Sequence, residues 1–514
     1  MGFQISDIAN NAPLFTLVAT GLVVILLESA KSGKPNVSFI VSLAGFILSG
    51  LLAVGGLKTE DVSFGGMLMN GSYSNFFAIV FCLTGSLTIL ISKSYLERFG
   101  QFRSEFYILV LFAAMGMVLM ASANDLIIIF LGIELMSVSL YVLAGFFRTQ
   151  DRSNESALKY FLLGAFATGF LLYGIALVYG SAGSTNFSVI HNQAPALMKN
   201  QPLPDSVVQA GLPDSVVQAG LPDSVVQAGL PDSVVQAGDS GLPAGQAGLA
   251  GTIFLLGLGL VIVGLAFKVA AAPFHMWAPD VYDGAPTPAT GFMATAAKAA
   301  AFGAFVSIAF KMIGSTSGTI SNLLAVIAAA SMILGNVIAI SQSNIKRMLA
   351  YSSIAHAGYM LSGIAAANVE GQAGVMYYVA AYACMTLGAF AIVSILERDD
   401  AANLSIDGYA GLSAKHPVIA AALALFMFSL AGIPPLAGFF GKYYVFLAAV
   451  KADMTWLAIV GVLTSLISAY YYLRVVVVMY FKEGEAAVEG RIGMSTVVAI
   501  AVCAYLVVQL GVYP

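Results

Sequence analysis

Charge is scarce in this chain. Asp, Glu, Lys and Arg make up only 9% of its 514 residues, against about 25% in soluble domains. With so few charges no nucleic-acid partner is expected. Cysteine is scarcer still. Cys82, Cys384 and Cys503 fall in separate apolar segments without CxxC spacing, which argues against an iron–sulfur or zinc site and leaves them as small buried apolar residues. No glycine-rich phosphate loop stands between a strand and a helix, so nucleotide binding has no support. No Lys or Arg precedes Lys31. The basic region of a cleaved signal peptide is therefore missing, and the first apolar segment reads as a permanent helix.

What fills the chain instead is apolar sequence, 59% of all residues. Segments of about 18–25 apolar residues recur along nearly the whole length, each long enough to cross a bilayer core. The class this implies is an all-α polytopic membrane protein of about fourteen transmembrane helices. Their approximate spans are 14–31, 36–57, 73–94, 105–122, 124–147, 155–180, 251–272, 287–312, 319–342, 347–367, 371–396, 417–448, 454–481 and 492–512. An even number places both termini on one side. With the N-terminus outside, thirteen loop lysines and arginines, Lys346 among them, fall on the cytoplasmic side, and only Lys58, Lys199, Lys311 and Lys451 fall outside. The positive-inside rule therefore puts both termini on the external, periplasmic side of a cytoplasmic membrane.

Two predicted helices carry breakers beside an intramembrane lysine. Lys268 is followed by Pro273 and His275, and Gly432, Pro434, Pro435 and Gly438 come just before Lys442. Backbone groups freed at such breaks are tolerated only where protein or water satisfies them. Helices four to eight and nine to thirteen form consecutive five-helix blocks with the break fourth in each. Five is odd, so the second block enters the membrane inverted, and paired breaks in inverted halves point to a transport site. The expected organisation is three helices at 1–104, a first repeat at 105–312 with an external loop at 181–250, an inverted repeat at 313–482, and a last helix at 483–514. Within that loop LPDSVVQAG occurs four times in tandem from Leu203 to Gly238. It has too little apolar surface for a core and reads as a disordered spacer or a short β-solenoid.

Lys268, Lys298 and Lys442 lie deep in apolar stretches, where a charge costs from about 2.5 to well over 10 kcal/mol. An ammonium stripped of water loses proton affinity, and a carboxylate arriving or leaving changes that affinity by several units. Glu134, in a fourth apolar segment, is the candidate carboxylate. The four residues fit a proton relay; a static Lys–Glu pair that orients helices is the structural alternative, and it leaves two lysines unexplained. Lys159 lies four residues after Glu155, so snorkelling and local pairing explain it as well as a relay does. His275 and His356 sit in polar interruptions and titrate near neutral pH, so each fits either proton conduction or a structural role. Arg474 and Glu28 read as interfacial.

FKVAAAPFHMWAPDVYDGAPTPATGFMATAAKAAAFG, NIKRMLAYSSIAHAGYM and AGIPPLAGFFGKYYVF closely resemble the antiporter-like membrane subunits of respiratory complex I, over almost the full chain outside the repeat loop. The chain ends after its fourteenth predicted helix, without the long lateral helix of subunit L, and has Lys442 where subunit M usually has glutamate. The resemblance implies that Glu134 and Lys268 form a proton-linked ion pair in a first half-channel. It implies further that Lys298 connects the halves, that Lys442 relays to the second, and that Lys159, His275 and His356 lie on or beside the same hydrophilic axis. It also implies membrane lipid and other complex I membrane subunits, M and K, as neighbours. No cofactor is expected in this chain, NADH, flavin, iron–sulfur clusters and quinone belonging to partner subunits. A stand-alone cation/proton antiporter subunit and a non-pumping scaffold are the competing readings.

Overall fold

The computed structural model describes residues 5–30, 35–198, 244–313, 318–398, 404–484 and 492–514. The LPDSVVQAG copies lie outside them. The described chain is nearly all helix. Its longer helices are α1 (Ala12–Ser29), α2 (Pro35–Gly55), α3 (Ser72–Arg98), α4 (Ser104–Ser122), α5 (Leu126–Ala144), α6 (Asp151–Ala182), α7 (Phe187–Met198), α8 (Ala244–Lys268), α9 (Trp277–Gly284), α10 (Thr287–Met312), α11 (Gly318–Ile340), α12 (Ile345–Ala365), α13 (Val369–Leu396), α14 (Pro417–Ala431), α15 (Ala437–Lys451), α16 (Thr455–Phe481) and α17 (Met494–Val512). A small antiparallel hairpin pairs Asp61–Ser63 with Leu68–Asn70.

Among the described residues, twelve helices are long and apolar enough to cross a membrane. Two of the fourteen predicted spans take another form. α12 is 21 residues long but carries Lys346, Arg347, Ser352, Ser353 and His356. The segment 417–448 divides into α14 and α15, of 15 residues each, or about 22 Å apiece at 1.5 Å per residue, shorter than a hydrocarbon core of about 30 Å.

Burial orders the helices. Leu26, Leu51, Phe166 and Leu466 stand exposed on outer helices, as lipid-facing side chains do when the surrounding solvent is apolar. The membrane-spanning stretch of α10, by contrast, is enclosed on every side, so Lys298 sits on the central helix of the molecule.

Close helix crossings are built from small residues. A Cβ on Gly116 would lie 2.6 Å from the Gly132 carbonyl, bringing α4 against α5, and one on Gly335 would lie 2.6 Å from the Ala355 amide, bringing α11 against α12. Backbones that approach this closely have room for hydrogen alone. α5 and α12 also start alike. Asp125 caps α5 by accepting from the Ile127 amide at 2.8 Å, and Asn344 caps α12 by accepting from the Lys346 amide at 2.8 Å. Each cap forms an isolated antiparallel bridge sixty-one residues onward, Asp125 to Asn186 and Asn344 to Ser405.

Candidate functional site

Both predicted breaks are present, and each disposes of its freed backbone groups. After α8 ends at Lys268, Ala270 takes a left-handed φ of 57°. The Ala272 amide then donates to Ser331 Oγ on α11 at 2.8 Å, and the Trp277 indole donates to the Phe267 carbonyl at 2.9 Å. At the second break Gly432 ends α14 with φ 89°, which only glycine adopts at little cost. A Cβ there would also press on the Lys442 side chain. Lys442 Nζ donates to the carbonyls of Leu430 at 3.2 Å and Ala431 at 2.9 Å. It thereby caps the negative end of the α14 dipole.

The three predicted lysines are all buried, and their surroundings share one pattern. Lys268 donates to Ser137 Oγ at 2.8 Å and lies 5.6 Å from the centroid of the Tyr141 ring. Lys298 donates to Ser353 Oγ at 2.5 Å and to its carbonyl at 2.7 Å, with the Tyr382 ring at 6.0 Å. Lys442 donates to Ser465 Oγ at 2.7 Å beneath the Tyr359 ring at 5.0 Å. One serine and one tyrosine accompany each lysine. No ion pair with a carboxylate is formed by any of the three among the described residues. An unpaired charge buried in this way costs several kcal/mol.

Glu134 is half-buried on α5, one turn before Ser137. It makes no direct pair with Lys268, and its Oε1 accepts no hydrogen bond from the described residues. The hydroxyl of Ser137 holds the ammonium in its place.

His356 is buried beside the central lysine. Its Nδ1 lies 2.8 Å from the Tyr378 hydroxyl and its Nε2 3.1 Å from the Tyr472 hydroxyl, which is in turn hydrogen-bonded to Ser352. Ser352 adjoins Ser353, the partner of Lys298. Polar groups therefore run from Lys298 across α12 to α13 and α16. Tyr359, whose ring covers Lys442, receives a hydrogen bond from Asn336 at 2.9 Å, and Tyr471 donates to the same Asn336 at 2.9 Å.

The other candidates stand apart. His275 lies in the first break, its Nδ1 without a partner among the described residues, and no hydrogen bond or ion pair joins it to the three lysines. Lys159 forms its expected pair with Glu155 at 2.7 Å and also meets Asp280 at 2.8 Å, which Arg347 contacts at 2.9 Å. An apolar groove of about 610 Å³ between α15 and α16 reaches Lys442 and Ser465 from the molecular surface.

Loop assignments are corrected at Lys346 and Lys311, and Lys451 too lies in a helix, at the end of α15. Lys346 is buried in the first turn of α12, where its Nζ donates to the Ala285 carbonyl at 2.8 Å and lies 3.5 Å from Glu397. Lys311 belongs to the last turn of α10 and lies 4.2 Å from the centroid of the Tyr73 ring. Lys346 and Arg347 are adjacent at a helix start, which reads as a solvated end; the Ala285 carbonyl and the acid at 397, both far along the chain, hold Lys346 inward.

Two broken helices and three buried lysines without ion pairs among the described residues define a polytopic helical membrane protein with charge in its interior. Residues 123–468 match the family of NADH:quinone oxidoreductase/Mrp antiporter transmembrane proteins. The chain is 44% identical to the NADH-quinone oxidoreductase subunit N of Trichlorobacter lovleyi, over 94% of this chain and 89% of that one. Its fold matches a chain of respiratory complex I from Thermus thermophilus with a TM-score of 0.76 at 32% identity, covering 98% and 97% of the two. A chain of the Mrp complex from a Dietzia species shares the fold, with a TM-score of 0.75 at 18% identity over 98% and 94%. The chain belongs to the subunit N family of NADH-quinone oxidoreductases, the antiporter-like membrane subunits of that complex.

Proposed function

We propose that this subunit translocates protons, driven by redox chemistry in other subunits, through a relay of Glu134, Lys268, Lys298, His356 and Lys442. The observation that carries the reading is the shared lysine environment: serine hydroxyl, tyrosine ring, no carboxylate partner. A static pair that merely orients helices would hold a carboxylate against the ammonium. A group that must gain and lose a proton is better served by neutral donors and acceptors, with the acid near but apart. Glu134, one turn from Ser137, is so placed.

Moving one charge against 100 mV requires about 2.3 kcal/mol. Displacing a proton affinity by two pKa units supplies about 2.7 kcal/mol, so the approach and withdrawal of one carboxylate is of the right size. His356 with Tyr378 and Tyr472 is the joint between Lys298 and the Lys442 half, and Lys159 serves local pairing at the mouth. The matching caps of α5 and α12, with bridges at equal spacing, support two inverted five-helix halves within fourteen crossings. The same reading puts both termini on the periplasmic side of the bacterial inner membrane, subunits M and K alongside, and all redox cofactors elsewhere.

The test is the proton-to-electron ratio of the assembled complex in vesicles. Lys268→Ala and Lys442→Ala are expected to lower it sharply while the complex still assembles. Unchanged ratios would reject pumping by this subunit and favour a scaffold.

A further inference from the structure

Glu397 closes α13, and its carboxylate lies where three elements meet. Lys346 Nζ of α12 is 3.5 Å away, and Thr287 Oγ1 at the start of α10 donates to it at 2.5 Å. The lysine side chain is 1% exposed and the glutamate 12%. The glutamate alone of the two lines a polar cavity of about 290 Å³, shared with Gln150, Asp151, Asp283 and Tyr95. A chamber of that size and polarity holds several waters.

Toward the centre of the molecule, the face of α12 that carries Lys346 continues to the site of Lys298. Ser353, which binds Lys298, is seven residues after Lys346 and therefore on the same face of α12, about 10 Å deeper. Tyr282, whose hydroxyl interacts with Ser353, lies three residues before Ala285, whose carbonyl accepts from Lys346.

We propose that Glu397 and Lys346 are the port through which protons enter from this cavity and load Lys298. The port rests on the translocation reading above. A proton from cavity water neutralises the Glu397 carboxylate and releases its hold on Lys346. The Lys346 ammonium passes its own proton inward, by way of Tyr282 and Ser353, to a neutral Lys298 amine. Glu397 then returns the captured proton to the Lys346 amine, which restores the ion pair and leaves one proton moved. A static clamp between the start of α12 and the end of α13 is the plain alternative, and arginine separates the two. It keeps the charge and the hydrogen bonds but does not give up its proton.

The measurement is again the proton-to-electron ratio of the assembled complex in vesicles, with assembly and NADH oxidation followed in parallel. Lys346→Arg and Glu397→Gln are expected to bring the ratio down to that of Lys298→Ala, while Glu397→Asp stays near the parent. A parental ratio in Lys346→Arg overturns the port and establishes the clamp. If Lys298→Ala itself keeps the parental ratio, the translocation reading fails, and the port with it. A second arm avoids folding altogether. Gln150→Cys, exposed at the cavity, is labelled with a bulky thiol reagent in the finished complex. The ratio is expected to drop on labelling while the same reagent leaves the parent unaltered; no drop overturns the port.

Discussion

His356 Nδ1 and the Tyr378 hydroxyl lie 2.8 Å apart, which joins α12 to α13 in the interior beside Lys298. Both ring nitrogens are engaged, since Nε2 meets Tyr472. The ring therefore has one donor and one acceptor ready in its neutral form, as a proton shuttle requires. Replacing His356 by Phe keeps the bulk and removes both nitrogens. Proton transfer between the halves is expected to slow by at least about tenfold, a barrier increase of about 1.4 kcal/mol. Pumping rates of the assembled complex check this, and Tyr378→Phe should produce a smaller loss in the same direction.

Glu134 stands off from Lys268, so the two should uncouple in stability. Breaking a buried ion pair destabilises by about 3–5 kcal/mol, whereas Glu134→Gln here removes no direct contact with Lys268. Thermal unfolding of the complex carrying Glu134→Gln is expected to match the parent, while pumping falls. A stability loss of the size of a broken pair would mean that the two residues are in contact.

The crossing of α11 and α12 holds the wall of the site. Gly335→Val would force side-chain carbons against the Ala355 amide and the Tyr351 carbonyl. Overpacking of this kind costs about 1–3 kcal/mol or more. Lower levels of assembled subunit are expected, together with reduced pumping per cell but not per assembled complex.

At the surface, Lys482 lies 2.9 Å from Asp407, and its hydrogen bond holds that loop carboxyl below the usual carboxylate range. A lowered folded-state value means that the contribution is present above the unfolded value, near 4, and is lost as pH falls through the folded one. Both groups are exposed, so the effect is small. Asp407→Asn should differ slightly from the parent at neutral pH, and the difference should vanish once pH falls below the lowered folded-state value, as thermal unfolding across pH will tell.

Much of this was legible in the sequence because the bilayer enforces simple rules. Apolar runs of spanning length gave the helices, and Pro and Gly beside a lysine gave both breaks, because backbone polarity at that depth has few solutions. The three lysines stood out for the same reason. Their partners did not. Ser137, Ser465 and Tyr378 are ordinary residues of apolar helices, and only packing brings the two serines to ammonium groups and the tyrosine to His356. The ion pair of Lys346 and Glu397 was hidden because each residue sits at a helix end, where charge is expected to be solvated. Lys159 left two readings open, and the structure supplies the local pair together with a cross-helix contact to Asp280.

The proposed relay requires the buried ammonium groups to share one proton path. A high-resolution map of the assembled complex, with ordered water resolved around Lys268, Lys298 and Lys442, would show that path. Water density linking the lysines through Ser137, Ser353, His356 and Ser465 is expected. Three ammonium groups packed dry against protein, with no water between them, would contradict it.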